Sequence, residues 1–481
     1  MTVRAIPPRR EEVSGLVRFV NDYRHEPVDE RHLKHLLVQA PAPFNAETRA
    51  EQLPQQHITP VALFYVRNHG PVPLCPDVSQ YRLVVDMRQW AGVQGAKAGG
   101  DLIRQFRLDE LLRRFRFVQL EATLQCAGNR RTELEERARR VVRGVGWQQG
   151  VIGNAVWGGV PLAEVLLAAL GECTGSATDP RALAGADDAS ESEWFVEFEG
   201  ADWVPEEARQ PSTHPAISSP GYRASVPLRQ VLGGAGQTLP ALLATEMNGQ
   251  PLTRDHGYPL RCVVPGMYGA RSVKWLWRIA LRRGHSDGFF VQRDYKMLPS
   301  WMDGEQVDWN AVPPLMETNV QCAICVPAGR EVRLSGQEAP ALNGGEPHGA
   351  PNESTAGRHA VWLPLRGYAC SGGGRRVVLV KVSGDGGRTW QAARFLDAAN
   401  EEVSRKTRTG AFSWRLWVAQ VPVAAPCQVV CRAVDEAANA QPDDVVPAWN
   451  LRGVAHNTTY RMQVLPPPST SAGTHPPLAK L

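Results

Sequence analysis

The run Leu124-Gln125-Cys126-Ala127-Gly128-Asn129-Arg130-Arg131 decides how this chain is read. Residues 117–124 before it lean apolar and read as a strand. A Gly-Asn-Arg-Arg turn follows. A cysteine at a strand end, beside two guanidinium groups, is a candidate thiolate, because nearby positive charge favours the deprotonated form. A thiolate is a nucleophile or a soft metal ligand. Taken alone, a cysteine is more often a buried core residue. The runs that accompany it decide between the two.

Phe64-Tyr65-Val66-Arg67-Asn68-His69-Gly70-Pro71 places three polar side chains at the end of an apolar stretch. Gly144-Val145-Gly146-Trp147 precedes Gly153-Asn154-Ala155-Val156-Trp157-Gly158-Gly159. Glu246-Met247-Asn248-Gly249 leads to Arg254-Asp255-His256-Gly257-Tyr258-Pro259-Leu260-Arg261. Then come Gly269-Ala270-Arg271-Ser272-Val273-Lys274-Trp275, Asp294-Tyr295-Lys296 and, near the end, Trp449-Asn450-Leu451-Arg452-Gly453.

At 481 residues the chain is too long for one compact core, so two or three domains are expected. A net charge of +4 on this length does not argue for nucleic acid or lipid, so functional positive charge must be local. No apolar stretch is long enough to span a bilayer, and the first ten residues lack the apolar segment of a secretory signal. Nine cysteines, an odd number, then read as thiols of a reducing compartment. The terminal Ala479-Lys480-Leu481 is a close variant of the Ser-Lys-Leu peroxisomal address.

Residues 1–60 read as an extended N-terminal arm, and 61–318 as a mixed α+β catalytic domain without regular βαβ alternation. Val61 to Val66 and Leu260 to Pro265 are expected strands; residues 101–115 and 162–170 are expected helices. Residues 319–465 change to short strands separated by turns, the signature of an immunoglobulin-like β-sandwich. Low-complexity stretches at 171–193 and 335–357 read as insertions, and 466–481 as a disordered tail carrying the peroxisomal address.

Taken in this order, the runs from Pro43 to about Arg461 resemble the sulfite oxidase family, within it the plant-type peroxisomal enzymes. The resemblance implies a molybdopterin-binding domain followed by a dimerisation domain, and hence a homodimer. It makes Cys126 the protein ligand to molybdenum. It places the pterin, which ends in a phosphate, against Tyr65, Val66, Arg67, Asn68, His69, Asp202, His256, Arg261, Ser272, Val273 and Lys274. It assigns Arg67, Arg131 and Arg452 to the substrate anion, Arg143 and Trp147 to its flanks, and Tyr295 to the reacting centre. Such a pocket suits sulfite and sulfate, since guanidinium groups hold small dianions through forked, charge-assisted hydrogen bonds. No His-Pro-Gly-Gly run marks a cytochrome b5 module, so no haem is expected, and O2 is the expected electron acceptor, giving H2O2. The alternatives are a nitrate reductase-like enzyme, a sulfite dehydrogenase using a cytochrome, or a cofactor-binding protein without turnover.

Three motifs are discounted. Cys322-Ala323-Ile324-Cys325 has no second pair at zinc separation and reads as two cysteines on a strand. Ser383-Gly384-Asp385-Gly386-Gly387-Arg388-Thr389-Trp390 reads as a β-turn, and Ser371-Gly372-Gly373-Gly374-Arg375-Arg376 lacks the Lys-Ser/Thr of a phosphate loop.

Overall fold

A computed structural model describes residues 19–90, 102–174, 194–208, 221–232, 241–302, 307–334, 361–396 and 409–467. The expected tail signal, both low-complexity insertions over most of their length, and the first eighteen residues lie outside these.

Strands β1 (Leu36–Pro41) and β2 (Phe44–Thr48) form an antiparallel hairpin. The expected arm is therefore folded over this part: Asn45 and Glu47 are buried, and Glu47 accepts backbone hydrogen bonds from Gln148 and Gly150 at 3.0 and 2.9 Å. The expected strand at Val61 to Val66 is instead a 3-10 turn, Val61–Leu63, followed by one bridge between Val66 and Ala46.

Two sheets build the N-terminal domain. One contains β3 (Arg82–Asp86), β4 (Ile103–Arg107), β7 (Trp194–Gly200), β8 (Arg223–Pro227) and β12 (Leu276–Arg283), in the order β4-β3-β12-β7-β8. Its β3–β12 pair is parallel and the others antiparallel, so the sheet is mixed. The other contains β5 (Val118–Gln125), β6 (Ile152–Pro161), β9 (Leu242–Met247), β10 (Gln250–Pro251) and β11 (Arg261–Val263). Here Gly159 of β6 lets two strands touch: a Cβ on it would stand 2.1 Å from the Leu243 carbonyl oxygen.

Helix α1 spans only Leu108–Arg114, so the first half of the helix expected over 101–115 is β4. The reason is local. Residues 103–107 complete the edge beside β3, and the helix starts where the Glu110 carboxylate accepts the Arg107 N–H at 3.3 Å. Helix α2 (Arg131–Ala138) follows the Cys126 turn, and α3 (Leu162–Thr174) covers the expected second helix.

The C-terminal domain is a sandwich of two sheets. One runs β13 (Gln321–Val326), β15 (Val361–Cys370), β19 (Arg415–Val423), β18 (Arg394–Phe395); the other runs β14 (Glu331–Arg333), β21 (Tyr460–Leu465), β20 (Cys427–Asp435), β16 (Val377–Ser383), β17 (Gln391–Ala392). Tyr368, Trp414, Trp417 and Tyr460 fill the space between the sheets. Cys322 and Cys325 lie on β13, as the strand reading expects, and Cys322 Sγ is 3.3 Å from Cys431 Sγ on the facing sheet. None of the nine cysteines is joined in a disulfide. The Asp385 carboxylate closes the tight turn after β16 by accepting from the Arg388 and Thr389 N–H groups at 2.9 and 3.0 Å.

The two domains meet on the Cys126 turn. Arg130, in a left-handed conformation at φ +64°, forms a fully buried ion pair with Glu133 at 2.8 Å and donates to the Thr458 carbonyl at 2.8 Å. The Ala455 N–H donates to the Ala127 carbonyl at 2.8 Å. Asn129 Nδ2 donates to the Tyr368 hydroxyl at 3.0 Å, which donates to the Gln149 carbonyl at 3.1 Å. Glu133→Gln removes the charge facing a buried guanidinium and is expected to lower stability by about 3–5 kcal/mol. Chemical denaturation followed by tryptophan fluorescence measures this; a loss below about 1 kcal/mol contradicts the role given to the pair.

Candidate active site

A cleft opens beside the end of β5. It is lined by Tyr65, Arg67, Asn68 and His69 from the chain after the Val61–Leu63 turn, and by Cys126 from the β5 end. Asp202, His256 and Arg261 lie on its wall, together with Ser272, Val273, Lys274 and Tyr295. These residues span more than two hundred positions of sequence, and the fold brings them to one surface.

Local geometry explains the motifs. Phe64 and Tyr65 stack at 5.2 Å, and the polar residues Arg67, Asn68 and His69 after them line the cleft. Gly269 is required by contact: a Cβ there would stand 2.9 Å from the Tyr65 hydroxyl and 3.1 Å from the Gln125 carbonyl oxygen. Asn68 is held by Asn45, whose Oδ1 accepts its N–H at 3.0 Å, and its own Oδ1 accepts from the Lys274 ammonium. Lys274 also donates to the Asp255 carbonyl at 2.8 Å. Arg261 donates to the carbonyls of His256 and Ser272 at 2.9 and 3.1 Å.

Five expected site residues do not line the cleft. Val66 packs its side chain with Leu36, Phe44 and Ala46 under the hairpin. Trp147 is fully buried in the core beside Phe64, Tyr65 and Cys126, and its indole N–H has no protein partner. Arg143 is exposed and tied through its backbone to Leu451 at 2.8 Å. Arg452 forms an ion pair with Asp294, the neighbour of Tyr295.

Arg131 sits behind the cleft. Its guanidinium donates to the carbonyls of Arg452, Gly453 and Val145 at 3.1, 3.2 and 2.8 Å. Three glycines make its channel: a Cβ on Gly128, Gly144 or Gly453 would stand 2.6, 2.5 or 2.8 Å from Arg131 side-chain atoms. Gly144 and Gly453 also have φ of +142° and +55°, which other residues rarely adopt. Arg131 remains within electrostatic reach of Cys126, Arg67 and Arg452. Arg130, the other arginine of the turn, faces away toward Glu133, so only one of the two sequence-adjacent guanidiniums acts on the cysteine side.

Tyr222, Phe64, Trp275 and Ala270 also line the cleft and were not picked out from sequence. Tyr222 stacks on His69 at 4.8 Å. It is isolated in sequence from every quoted run, so no local pattern announces it.

The wall is rich in donors and poor in acids. Burial lowers Lys274 to about 7, with Arg261 and Arg67 adding to the effect and Asp255 opposing it. Burial likewise lowers Arg261 to about 10 and His256 to about 3. Asn68 Nδ2 and Arg261 Nε are buried without a partner. Orphaned donors of this kind require an acceptor. Among the described residues no three His, Cys, Asp or Glu side chains converge as a metal cage. One thiol among cations and unpaired donors fits a metal held in an anionic organic chelate, with the protein adding one soft ligand.

Residues 69–290 match the family model described as oxidoreductase molybdopterin binding domain, and 351–466 match the Mo-co oxidoreductase dimerisation domain. Fold, cleft and matches thus define a molybdenum oxidoreductase with a cofactor domain and a dimerisation domain. The chain is 37% identical to a sulfite oxidase of Arabidopsis thaliana over 93% of this chain and 97% of that protein. It is 38% identical to the mitochondrial sulfite oxidase of Homo sapiens over 94% of this chain and 69% of that protein. The sulfane dehydrogenase SoxCD of Paracoccus pantotrophus shares the fold, with a TM-score of 0.58 at 24% identity over 89% of this chain and 86% of that one. The chain belongs to the sulfite oxidase family.

The Lys274 shift has a testable sign. Its folded value, about 7, lies below the ordinary 10.5, so the protonated form is penalised on folding. The penalty is full below pH 7 and fades as pH rises through 10.5. In the cofactor-free chain, Lys274→Met is therefore expected to raise the melting temperature most near pH 6 and least near pH 10. A difference that is flat with pH contradicts burial of the uncompensated ammonium.

Proposed function

We propose that this protein oxidises sulfite to sulfate at a molybdenum–pterin centre held in the cleft, with Cys126 as the metal's protein ligand. One observation carries the reading: the Cys126 thiol opens into a cleft shared with Arg67, Arg261 and Lys274. The relatives named sulfite oxidase, each aligned over nearly the whole chain, support the same substrate. When bound, the molybdenum–pterin group supplies two-electron oxidation coupled to oxygen-atom transfer.

The remaining work falls to the side chains. Lys274, Arg261, Asn68 and the Ser272-Val273 backbone hold the anionic cofactor, with Tyr65, His69, Asp202 and His256 shaping its bed and Val66 contributing backbone alone. Arg67, Arg131 and Arg452 gather positive charge for the sulfite dianion. Guanidinium groups stay protonated at any working pH, so the attraction persists. Arg143, being exposed, guides the anion at the rim, and Trp147 backs the Cys126 turn. The Tyr295 hydroxyl stands at the reacting centre, where it helps to orient the substrate and its water.

We further propose a homodimer formed through the C-terminal sandwich, a site without haem, and O2 as acceptor. Sulfite, O2 and water then yield sulfate and H2O2, a balance suited to a peroxisome, where the terminal Ala479-Lys480-Leu481 would direct the chain. A nitrate reductase of Hordeum vulgare is 33% identical over 88% of this chain and 41% of that protein, so nitrate is the substrate to test in parallel.

Cys126→Ser is expected to abolish sulfite turnover, a loss of more than about a thousandfold, by removing the soft ligand. Sulfite, nitrate and oxygen assays on the purified protein measure it. Near-normal activity in the variant, or nitrate turnover in preference to sulfite, would sink the proposal. Oxygen uptake is expected to equal peroxide formed. Turnover only with cytochrome c or ferricyanide would instead favour a dehydrogenase. A fluorescent protein fused to the last dozen residues is expected to become punctate with peroxisomes; a diffuse signal refutes that address.

A further inference from the structure

His69 does more than line the cleft. Its Nε2 lies 3.0 Å from the Tyr295 hydroxyl. Its ring is fixed from two sides, stacked on Tyr222 at 4.8 Å and packed on Phe290 at 4.2 Å. The Tyr295 ring stands edge-on to it at 6.2 Å. Tyr295 is itself held by its backbone: its N–H donates to the Phe290 carbonyl at 2.9 Å, and its carbonyl accepts the Leu315 N–H at 2.8 Å. Both ends of the His69–Tyr295 contact are therefore anchored by groups other than the contact.

A phenol has one proton to give and lone pairs to receive. Arg67 and Arg131 act electrostatically on Tyr295, and a guanidinium can only donate. The nearby Asp294 carboxylate is taken by Arg452. Among the described residues, the acceptor recorded within hydrogen-bond distance of the Tyr295 hydroxyl is the His69 imidazole.

We propose that His69 is a positioning residue for Tyr295: its Nε2 accepts the phenolic proton and so turns the oxygen's lone pairs toward the cleft. This rests on the cleft being the sulfite site. There the phenol oxygen meets its ligand as an acceptor, taking a hydrogen bond from the protonated substrate or from water, and the arginines supply the donors. Burial, with Arg67, Lys274 and Arg452 adding, holds His69 well below its ordinary range, which keeps the imidazole neutral and able to accept.

Ultraviolet resonance Raman spectra of the full-length holoenzyme, taken as wild type minus Tyr295→Phe, isolate this one phenol. The tyrosine Fermi doublet separates a hydroxyl that donates from one that accepts. The donor signature is expected in wild type, kept in His69→Gln, and lost in His69→Phe, which preserves the ring packing. An acceptor signature in wild type, or an unchanged doublet in His69→Phe, overturns the proposal. With molybdenum content measured in every variant, His69→Phe is expected to lower kcat on the order of tenfold. It should add nothing in a Tyr295→Phe background. Additive losses, or loss of molybdenum in both His69 variants, would make His69 a cofactor contact only and overturn it. Wild-type protein inactive on sulfite would defeat the function proposed above while leaving the Raman result to judge the hydrogen bond.

Discussion

The structure depends on how the C-terminal domain grips the turn that carries Cys126. That turn is short and sits between the end of β5 and the start of α2. The Ala455 N–H reaches the Ala127 carbonyl, the residue next to the cysteine, at 2.8 Å. Tyr368 holds Asn129, and Thr458 receives the Arg130 guanidinium. A turn held from its own domain alone would move with local opening, because loops lie at the low end of stability. Here its position is tied to the sandwich core, so misplacing the thiol requires breaking the contact between domains.

The same grip sorts the positive charge. Arg130 is neutralised by Glu133 and becomes a structural pillar, whereas Arg131 is threaded between Gly128, Gly144 and Gly453 and is satisfied mainly by carbonyl oxygens. A carbonyl dipole satisfies a guanidinium's hydrogen bonds without cancelling its charge. Arg131 thus keeps a field for an anion, and the segment around Arg452 both shapes its channel and brings in another arginine. Burying Arg261 and Lys274, both shifted down by desolvation, costs stability in the free chain and favours any anion that enters. Affinity and stability are linked through this strip of uncompensated charge.

Much of the candidate site was legible in sequence because its chemistry is written in contiguous runs. Tyr65 to His69, His256 with Arg261, and Ser272 to Lys274 each form one stretch, and each reaches the cleft except through Val66. Val66 is the exception because its backbone bridges Ala46 and its side chain packs under the hairpin with Leu36 and Phe44. Tyr222 escaped notice because it works from an isolated position by stacking on His69. The apolar run at Val61 to Val66 looked like a strand but has only Ala46 to pair with, and composition cannot reveal how many partners a segment finds. Residues 103–107 carried polar character that suited a helix until the free edge of β3 claimed them.

The sequence by itself determined the chemistry on offer: a thiol at a strand end, arginines for an oxyanion, glycines where bulk is forbidden, and a sandwich announced by short alternating strands. These are properties of residue type and local spacing, which need no knowledge of distant contacts. Only the tertiary structure decided which arginine serves the site. Arg130 and Arg131 are neighbours in sequence, yet one is buried against Glu133 and the other lies within electrostatic reach of Cys126. The left-handed backbone at Arg130 sends the two side chains apart, and residues more than three hundred positions later supply the carbonyls that hold each one.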